Sequence, residues 1–176
     1  EISDEKITSR TENAKFTQHR DLYIAHFPKS VPAECTRSIR TNLLFMSPDK
    51  HLHTMVVSSA LPQEGKTTTA ISLAVTMAQS GSRTLLVDTD MRRPRLHRSF
   101  GKGNEQGISN VIVGDKTIEE VVQKTEVDNL DLLVCGPIPP NQAELLHTQS
   151  FINVFNNLKD RYDRVEAEIE EGAESA

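Results

Sequence analysis

Residues 60–67 have the types and spacing of a loop that holds phosphate groups. They read Ala-Leu-Pro-Gln-Glu-Gly-Lys-Thr, which fits the phosphate-binding loop (P-loop) pattern except that Ala60 occupies the first glycine position. Alanine is small enough to keep the turn tight. An apolar run precedes the loop and a helical pattern follows it, which is the strand–loop–helix context that such a loop requires.

The second half of the loop predicts specific contacts with a nucleotide. Backbone N–H groups and the positive end of the following helix attract phosphate oxygens. Lys66 would neutralise the β- and γ-phosphates, the Thr67 hydroxyl would bind Mg²⁺, and Thr68 would reach the α-phosphate. The nucleotide-binding residues predicted from this loop are Ala60, Pro62, Gln63, Glu64, Gly65, Lys66, Thr67 and Thr68.

Two carboxylates follow the next apolar run of the chain. Asp88 and Asp90 come after residues 85–87, at the predicted carboxyl end of a buried strand, where ligands of open α/β sheets bind. One of them could act as a general base while the other holds Mg²⁺ through water. Both are therefore candidate metal ligands beside Thr67, and Arg92 is a further nucleotide-binding candidate.

The pattern of apolar residues predicts the elements that position these groups. Apolar runs predict strands at 54–59, 83–88 and 130–135, and the start of another at 162–165. Helical spacing predicts helices at 34–45, 65–80, 108–113, 117–124 and 141–161. Because strands alternate with helices, we expect an α/β fold of the P-loop NTPase type. Its sheet is mainly parallel and is flanked by helices on both faces.

Length and charge limit the domain organisation. The chain has 176 residues, enough for about one domain, and a formal charge of −5 that excludes a polybasic nucleic-acid binder as the leading class. Residues 1–20 are interpreted as a flexible linker, 21–165 as the P-loop domain and 166–176 as an acidic tail that does not continue the last strand. No window of about 18 apolar residues predicts a membrane helix.

The two motifs together resemble those of bacterial tyrosine kinases, the BY-kinase family. In that family a P-loop is followed by an apolar strand ending in Asp-x-Asp-x-Arg, which here is Asp88, Asp90 and Arg92. The resemblance extends to an early helix with the pattern Glu-x-x-Arg-x-x-Arg, and covers roughly residues 22–165. The residues of that helix pattern are Glu34, Arg37 and Arg40.

The resemblance implies an ATP-dependent protein-tyrosine kinase that phosphorylates itself in trans and regulates exopolysaccharide synthesis or export. Asp88 would take the proton from the phenol, and Lys66 with Mg²⁺, held by Thr67 and Asp90, would stabilise the transferring phosphoryl group. The early helix would dock against a neighbouring subunit in a ring-like homo-oligomer.

The resemblance also implies partners and a location. The expected partners are ATP or ADP, protein tyrosines and a membrane-embedded chain-length regulator or activator domain. The expected location is the cytoplasmic side of the bacterial inner membrane. The absence of an initial Met favours fusion to the regulator in one polypeptide.

The family's third motif, an apolar strand ending in Asp-x-Pro (Walker B), is not found. Tyr162-Asp163-Arg164-Val165 begins such a strand, but Glu166-Ala167-Glu168 follows it, so the carboxylate that completes the Mg²⁺ site is expected to be missing. Either the protein is truncated and inactive, or the chain skips residues between Val165 and Glu166. The second explanation is favoured, because loss of a central strand would leave its neighbours unpaired.

Two alternatives to a kinase remain open at this point. The first is a catalytically impaired ATP-binding regulatory module of a polysaccharide export complex. The second is a partitioning-type P-loop ATPase, but Leu61 stands where those proteins carry a signature lysine.

Overall fold

The computed structural model describes residues 20–46, 52–61 and 63–169. The predicted linker and tail lie outside this part, apart from Arg20 and residues 166–169, and so does the candidate nucleotide-binding residue Pro62. The helices are α1 (Tyr23–His26), α2 (Val31–Phe45), α3 (Lys66–Gln79), α4 (Leu96–Ser99), α5 (Ile108–Val113), α6 (Ile118–Val121), α7 (Gln142–Leu146) and α8 (Gln149–Arg161). The strands are β1 (Thr54–Val57), β2 (Thr84–Asp88), β3 (Gln123–Lys124), β4 (Leu130–Leu133) and β5 (Arg164–Glu168).

The described strands form one sheet in the order β1-β5-β2-β4-β3. β1, β5, β2 and β4 run parallel, and the short β3 pairs antiparallel with β4 at one edge. All four parallel strands therefore end at the same edge of the sheet. The prediction of a mainly parallel α/β sheet is confirmed.

Helices cover both faces of the sheet, as predicted. On one face, α3 packs its small apolar residues Ala70 and Ala74 against Leu86 of β2. On the other face, α5, α6 and α8 pack against Leu85, Val87 and Val165. β2 is buried along its whole length, which explains why its sequence is apolar without alternation.

Three predicted helix boundaries differ from the structure, each because of a local hydrogen bond or strand pairing. The single helix expected at 141–161 is split into α7 and α8, since the Thr148 hydroxyl caps α8 by accepting the Phe151 N–H at 3.2 Å. The helix expected at 117–124 ends at Val121, because the next residues form β3. Finally, α2 begins at Val31, three residues early, capped by the Ser30 hydroxyl.

The strand that begins at residue 162 does not stop at Val165, so the boundary placed between residues 165 and 166 is wrong. β5 continues through Glu168 and pairs with β1 on one side and β2 on the other. Pairing on both sides satisfies the backbone polar groups whatever the side chains are, so it overrides the weak strand preference of Glu-Ala-Glu. The sheet is continuous from β1 to β2 without inserted residues, which removes the argument for a skipped segment.

The third residue of β5, Glu166, is a fully buried acid. Glu166 is 0 % exposed, lies beside Leu86 in the sheet register, and therefore faces α3. Among the described residues neither of its carboxylate oxygens has a hydrogen-bond partner. Burial raises the pKa of Glu166 well above its usual value, and the charge of Glu168 adds to the shift. Burial in the core therefore favours the protonated form of Glu166.

Replacing Glu166 should stabilise the fold. Glu166→Met removes an unsatisfied polar group at similar volume, so we expect a gain of about 1–3 kcal/mol at pH 8. Wild-type stability falls as pH rises above the unfolded-state carboxyl pKa of about 4.3, because the unfolded chain ionises first. In urea titrations, the increase in unfolding free energy caused by Glu166→Met should therefore be smaller at pH 4.5 than at pH 8. Glu105→Met, at an exposed position, is the control and should change little. A less stable Glu166→Met protein would contradict this assignment.

Candidate nucleotide-binding site

The loop between β1 and α3 forms one wall of a cleft of about 850 Å³ at the carboxyl ends of the strands. Gly65 adopts a φ of +92°, a left-handed conformation that favours glycine, directly before the first residue of α3. The Leu61 N–H donates to the Glu64 carboxylate at 3.1 Å and closes the loop, so Glu64 braces the loop instead of lining the cleft. Of the predicted loop residues, those that line the cleft are Ala60, Gln63, Gly65, Lys66, Thr67 and Thr68.

Lys66 and Asp90 meet across this cleft. The Lys66 ammonium lies 3.3 Å from Asp90 Oδ2, and the two side chains are 11 % and 8 % exposed. The other oxygen of Asp90 accepts the N–H groups of Arg92 at 3.2 Å and Arg93 at 2.8 Å. The turn after β2 therefore fixes the carboxylate, and the carboxylate holds the lysine in the cleft.

Glu168, which the sequence interpretation assigned to a tail, belongs to this site. The Thr67 hydroxyl donates to Glu168 Oε1 at 2.5 Å, and Glu168 lines the cleft although it is only 2 % exposed. Burial raises the pKa of Glu168, while the Thr67 hydrogen bond and the Lys66 charge oppose the shift. A carboxylate therefore lies at the end of β5, beside Thr67, where the sequence analysis expected none. Strand register could have identified Glu168 as a site residue, because Glu168 at the end of β5 is the register partner of Asp88 at the end of β2.

Asp88 lies behind the cleft wall instead of in it. It is 0 % exposed, and its carboxylate accepts the N–H groups of Arg95 and Leu96 at 3.0 Å each and that of Asp90 at 3.2 Å. These bonds tie the end of β2 to the start of α4. Burial, together with the charge of Glu168, raises the pKa of Asp88 to about 7. A base with this pKa suits proton transfer near neutral pH, and the role of Asp88 as general base stays a prediction.

Two arginines after the Asp-x-Asp pair contribute to the cleft, and they differ from the one predicted. Among the described residues Arg93 and Arg95 line the cleft, whereas Arg92 is exposed and does not. Lys66, Arg93 and Arg95 thus give the cleft wall three cationic side chains.

The oxygen atoms at the end of β5 suit a divalent cation. Glu168 Oε2 is buried and has no partner among the described residues, and the Thr67 hydroxyl lies beside the same carboxylate. Residues 20–46, 52–61 and 63–169 contain no cluster of three His, Cys, Asp or Glu side chains that could hold a metal ion unaided. One hydroxyl and one or two carboxylates fit Mg²⁺, which keeps waters and phosphate oxygens as its other ligands.

The predicted interface residues lie on α2, away from the cleft, and they are engaged within the chain. Arg37 donates to Glu34 and to the Pro28 carbonyl oxygen. Arg40 donates to the Thr76 carbonyl oxygen at 2.7 Å and so anchors α2 on α3. Their role between subunits stays a prediction.

Comparison with known proteins agrees with this geometry. The model of the AAA_31 family, an AAA domain, matches residues 62–167, more than half of the chain. Tyrosine-protein kinase YwqD of Bacillus subtilis is 44 % identical over 122 residues, which cover 69 % of this chain and 52 % of YwqD. CapB of Staphylococcus aureus is 37 % identical over 142 residues, which cover 81 % of this chain and 62 % of CapB.

A solved structure shows the same fold. The chimerical protein CapA2B2 is 38 % identical and superposes with a TM-score of 0.82, covering 85 % of this chain and 66 % of that one. The fold and site define a nucleotide-binding domain of the P-loop class. Within that class, the chain belongs to the bacterial tyrosine-kinase family. It spans 62 % and 52 % of the lengths of CapB and YwqD.

Within the described ranges, no helix is both long enough and apolar enough to cross a bilayer.

The capping role of Asp88 can be separated from a catalytic one by pH. Asp88→Asn loses at least one of three backbone hydrogen bonds, so we expect a loss of about 1–3 kcal/mol in unfolding free energy near pH 5. Between pH 4 and pH 7, roughly, the unfolded chain releases this proton before the folded chain does, so wild-type stability falls as pH rises. The deficit of Asp88→Asn in unfolding free energy should therefore be smaller at pH 8 than at pH 5 in urea titrations. Unchanged stability at both pH values would show that Asp88 does not hold the turn.

Proposed function

We propose that this chain is the nucleotide-binding part of an ATP- and Mg²⁺-dependent protein-tyrosine kinase that phosphorylates itself in trans. The observation that carries the proposal is one cleft that joins a P-loop, Lys66 held by Asp90 and Thr67 bonded to Glu168. These groups supply a cation, a hydroxyl and carboxylates at the place where parallel strands end.

Different residues of the cleft would bind different parts of a triphosphate. Loop N–H groups and the start of α3 would hold phosphate oxygens, and Thr68 would donate to the α-phosphate. Lys66 would neutralise charge that develops on the transferring phosphoryl group, as would the arginines of the cleft. Thr67 and Glu168, with Asp90 through water, would hold Mg²⁺, which supplies charge neutralisation when bound.

Asp88 is the candidate base for proton removal from the tyrosine. Asp88 has the pKa that a base needs, but its oxygens accept backbone N–H groups. We propose that Asp88 takes the proton after the turn shifts on binding of the nucleotide. If it stays in place, the chain would act as the non-enzymatic ATP-binding module of a polysaccharide export complex.

The proposed setting is the cytoplasmic side of a bacterial inner membrane, beside a membrane-embedded chain-length regulator or activator domain in exopolysaccharide synthesis. Assembly into a homo-oligomer is part of the proposal. Support for it comes from α2, where Ile39 is 49 % exposed and Phe45 is 75 % exposed, with Met46 beyond them 77 % exposed. An uncovered apolar surface of this kind is typical of an interface.

The first test is catalysis itself. The intact protein is incubated with ATP and Mg²⁺, and phosphotyrosine is measured by immunoblot and mass spectrometry. Lys66→Met should lower the signal at least about 100-fold, because it removes a transition-state charge contact. Lys116→Met, which removes a half-buried lysine paired with Glu120, is the control and should retain the signal. Nucleotide binding without any phosphotyrosine in the wild type would leave only the non-enzymatic module.

The second test concerns Glu168. Glu168→Gln keeps an oxygen that can accept the Thr67 hydroxyl but removes the charge, so the benefit of Mg²⁺ to ADP binding should fall at least about tenfold. Calorimetric titrations with ADP in excess Mg²⁺ and in EDTA measure that benefit. Binding in EDTA should be unchanged or tighter in the variant. An unaltered Mg²⁺ benefit would exclude Glu168 from the metal site.

A further inference from the structure

Asp21 is a buried acid that belongs to neither nucleotide-binding motif. It lies just before α1, and its side chain is fully buried. The carboxylate accepts hydrogen bonds from Ser99 at 2.6 Å, Arg20 at 3.1 Å, Thr68 at 3.2 Å and Arg95 at 3.4 Å. One carboxylate thus accepts hydrogen bonds from the start of the described chain, from α3, and from the turn and helix after β2.

Three of these four donors line the nucleotide cleft. Arg20, Thr68 and Arg95 are part of its wall, whereas Ser99 is buried in α4 and anchors the carboxylate from behind. Arg95 is 39 % exposed in its side chain and Arg20 is 53 % exposed, so both can reach a ligand in the cleft. Asp21 therefore holds the same groups that a polyphosphate would attract.

These donors cannot serve both anions at once. The Thr68 hydroxyl carries a single proton, and while that proton is donated to Asp21 it is not available to a phosphate oxygen. The Arg95 N–H group that faces Asp21 is committed in the same way. The carboxylate charge also opposes binding of a second anion nearby, because the buried site screens it weakly.

We infer that Asp21 sets the nucleotide affinity of this cleft by competing with phosphate oxygens for Thr68 and Arg95. The inference rests on the proposed nucleotide binding. Because Asp21 adjoins α1, a nucleotide that draws these donors away loosens the attachment of α1 to α3 and α4. The coupling is reciprocal, so firm docking of α1 lowers nucleotide affinity by the same factor.

The direct test is the affinity of Asp21→Asn for MgADP, measured by calorimetry in the intact protein. The variant should bind about three- to tenfold more tightly, since the donors and the local charge are released. Asp163→Asn is the matched control, because it removes an arginine-paired carboxylate at the amino end of β5, far from the cleft. Its affinity should equal that of the wild type. Weaker or unchanged binding by Asp21→Asn would overturn the inference.

A second measurement needs no variant. Amide hydrogen exchange of residues 22–27 in the wild type should become faster when MgADP binds, while exchange in the P-loop becomes slower. A purely structural role for Asp21 would leave residues 22–27 unchanged or more protected, and that result contradicts competition. If the wild-type protein binds no MgADP, the proposed function itself is contradicted. If the wild type binds MgADP and Asp21→Asn binds it with the same affinity, only this inference is contradicted.

Discussion

The hydrogen bond from the Thr67 hydroxyl to the Glu168 carboxylate joins two parts of the chain that lie 101 positions apart. Thr67 is placed by the P-loop, and Glu168 is placed by the register of β5 between β1 and β2. The end of β5 is also fixed by Thr89, whose N–H and hydroxyl both donate to the Glu168 carbonyl oxygen. The geometry of the site thus depends on the central strand as much as on the loop.

The site brings three buried acids together. Asp88, Asp90 and Glu168 lie close together, and Lys66 is the cation held among them. Burial raises the pKa values of Asp88 and Glu168, and repulsion from the neighbouring acids adds to the shift. A divalent cation would relieve this repulsion and favour the ionised forms, so cation binding should release protons. Buried acids beside Lys66 and the arginines of the cleft would suit a magnesium–nucleotide complex.

Most of the fold and half of the site could be predicted from the sequence. The P-loop, the Asp-x-Asp pair and the alternation of strands and helices are local patterns, and the structure has the corresponding elements. Glu168 was missed because Glu-Ala-Glu has low strand preference, and only pairing with β1 and β2 makes it a strand. Asp21 was missed because its partners come from Thr68, Arg95 and Ser99, which no spacing along the chain brings together.

The most direct test of the account is the position of the cation. Crystals of the intact protein with ADP and Mn²⁺ in place of Mg²⁺ would locate the ion by anomalous scattering. The account predicts one peak beside the Thr67 hydroxyl, with the Glu168 carboxylate bound to the ion directly or through one water. A peak bound to nucleotide with Glu168 turned away, or no peak beside Thr67 while ADP is bound, would contradict it.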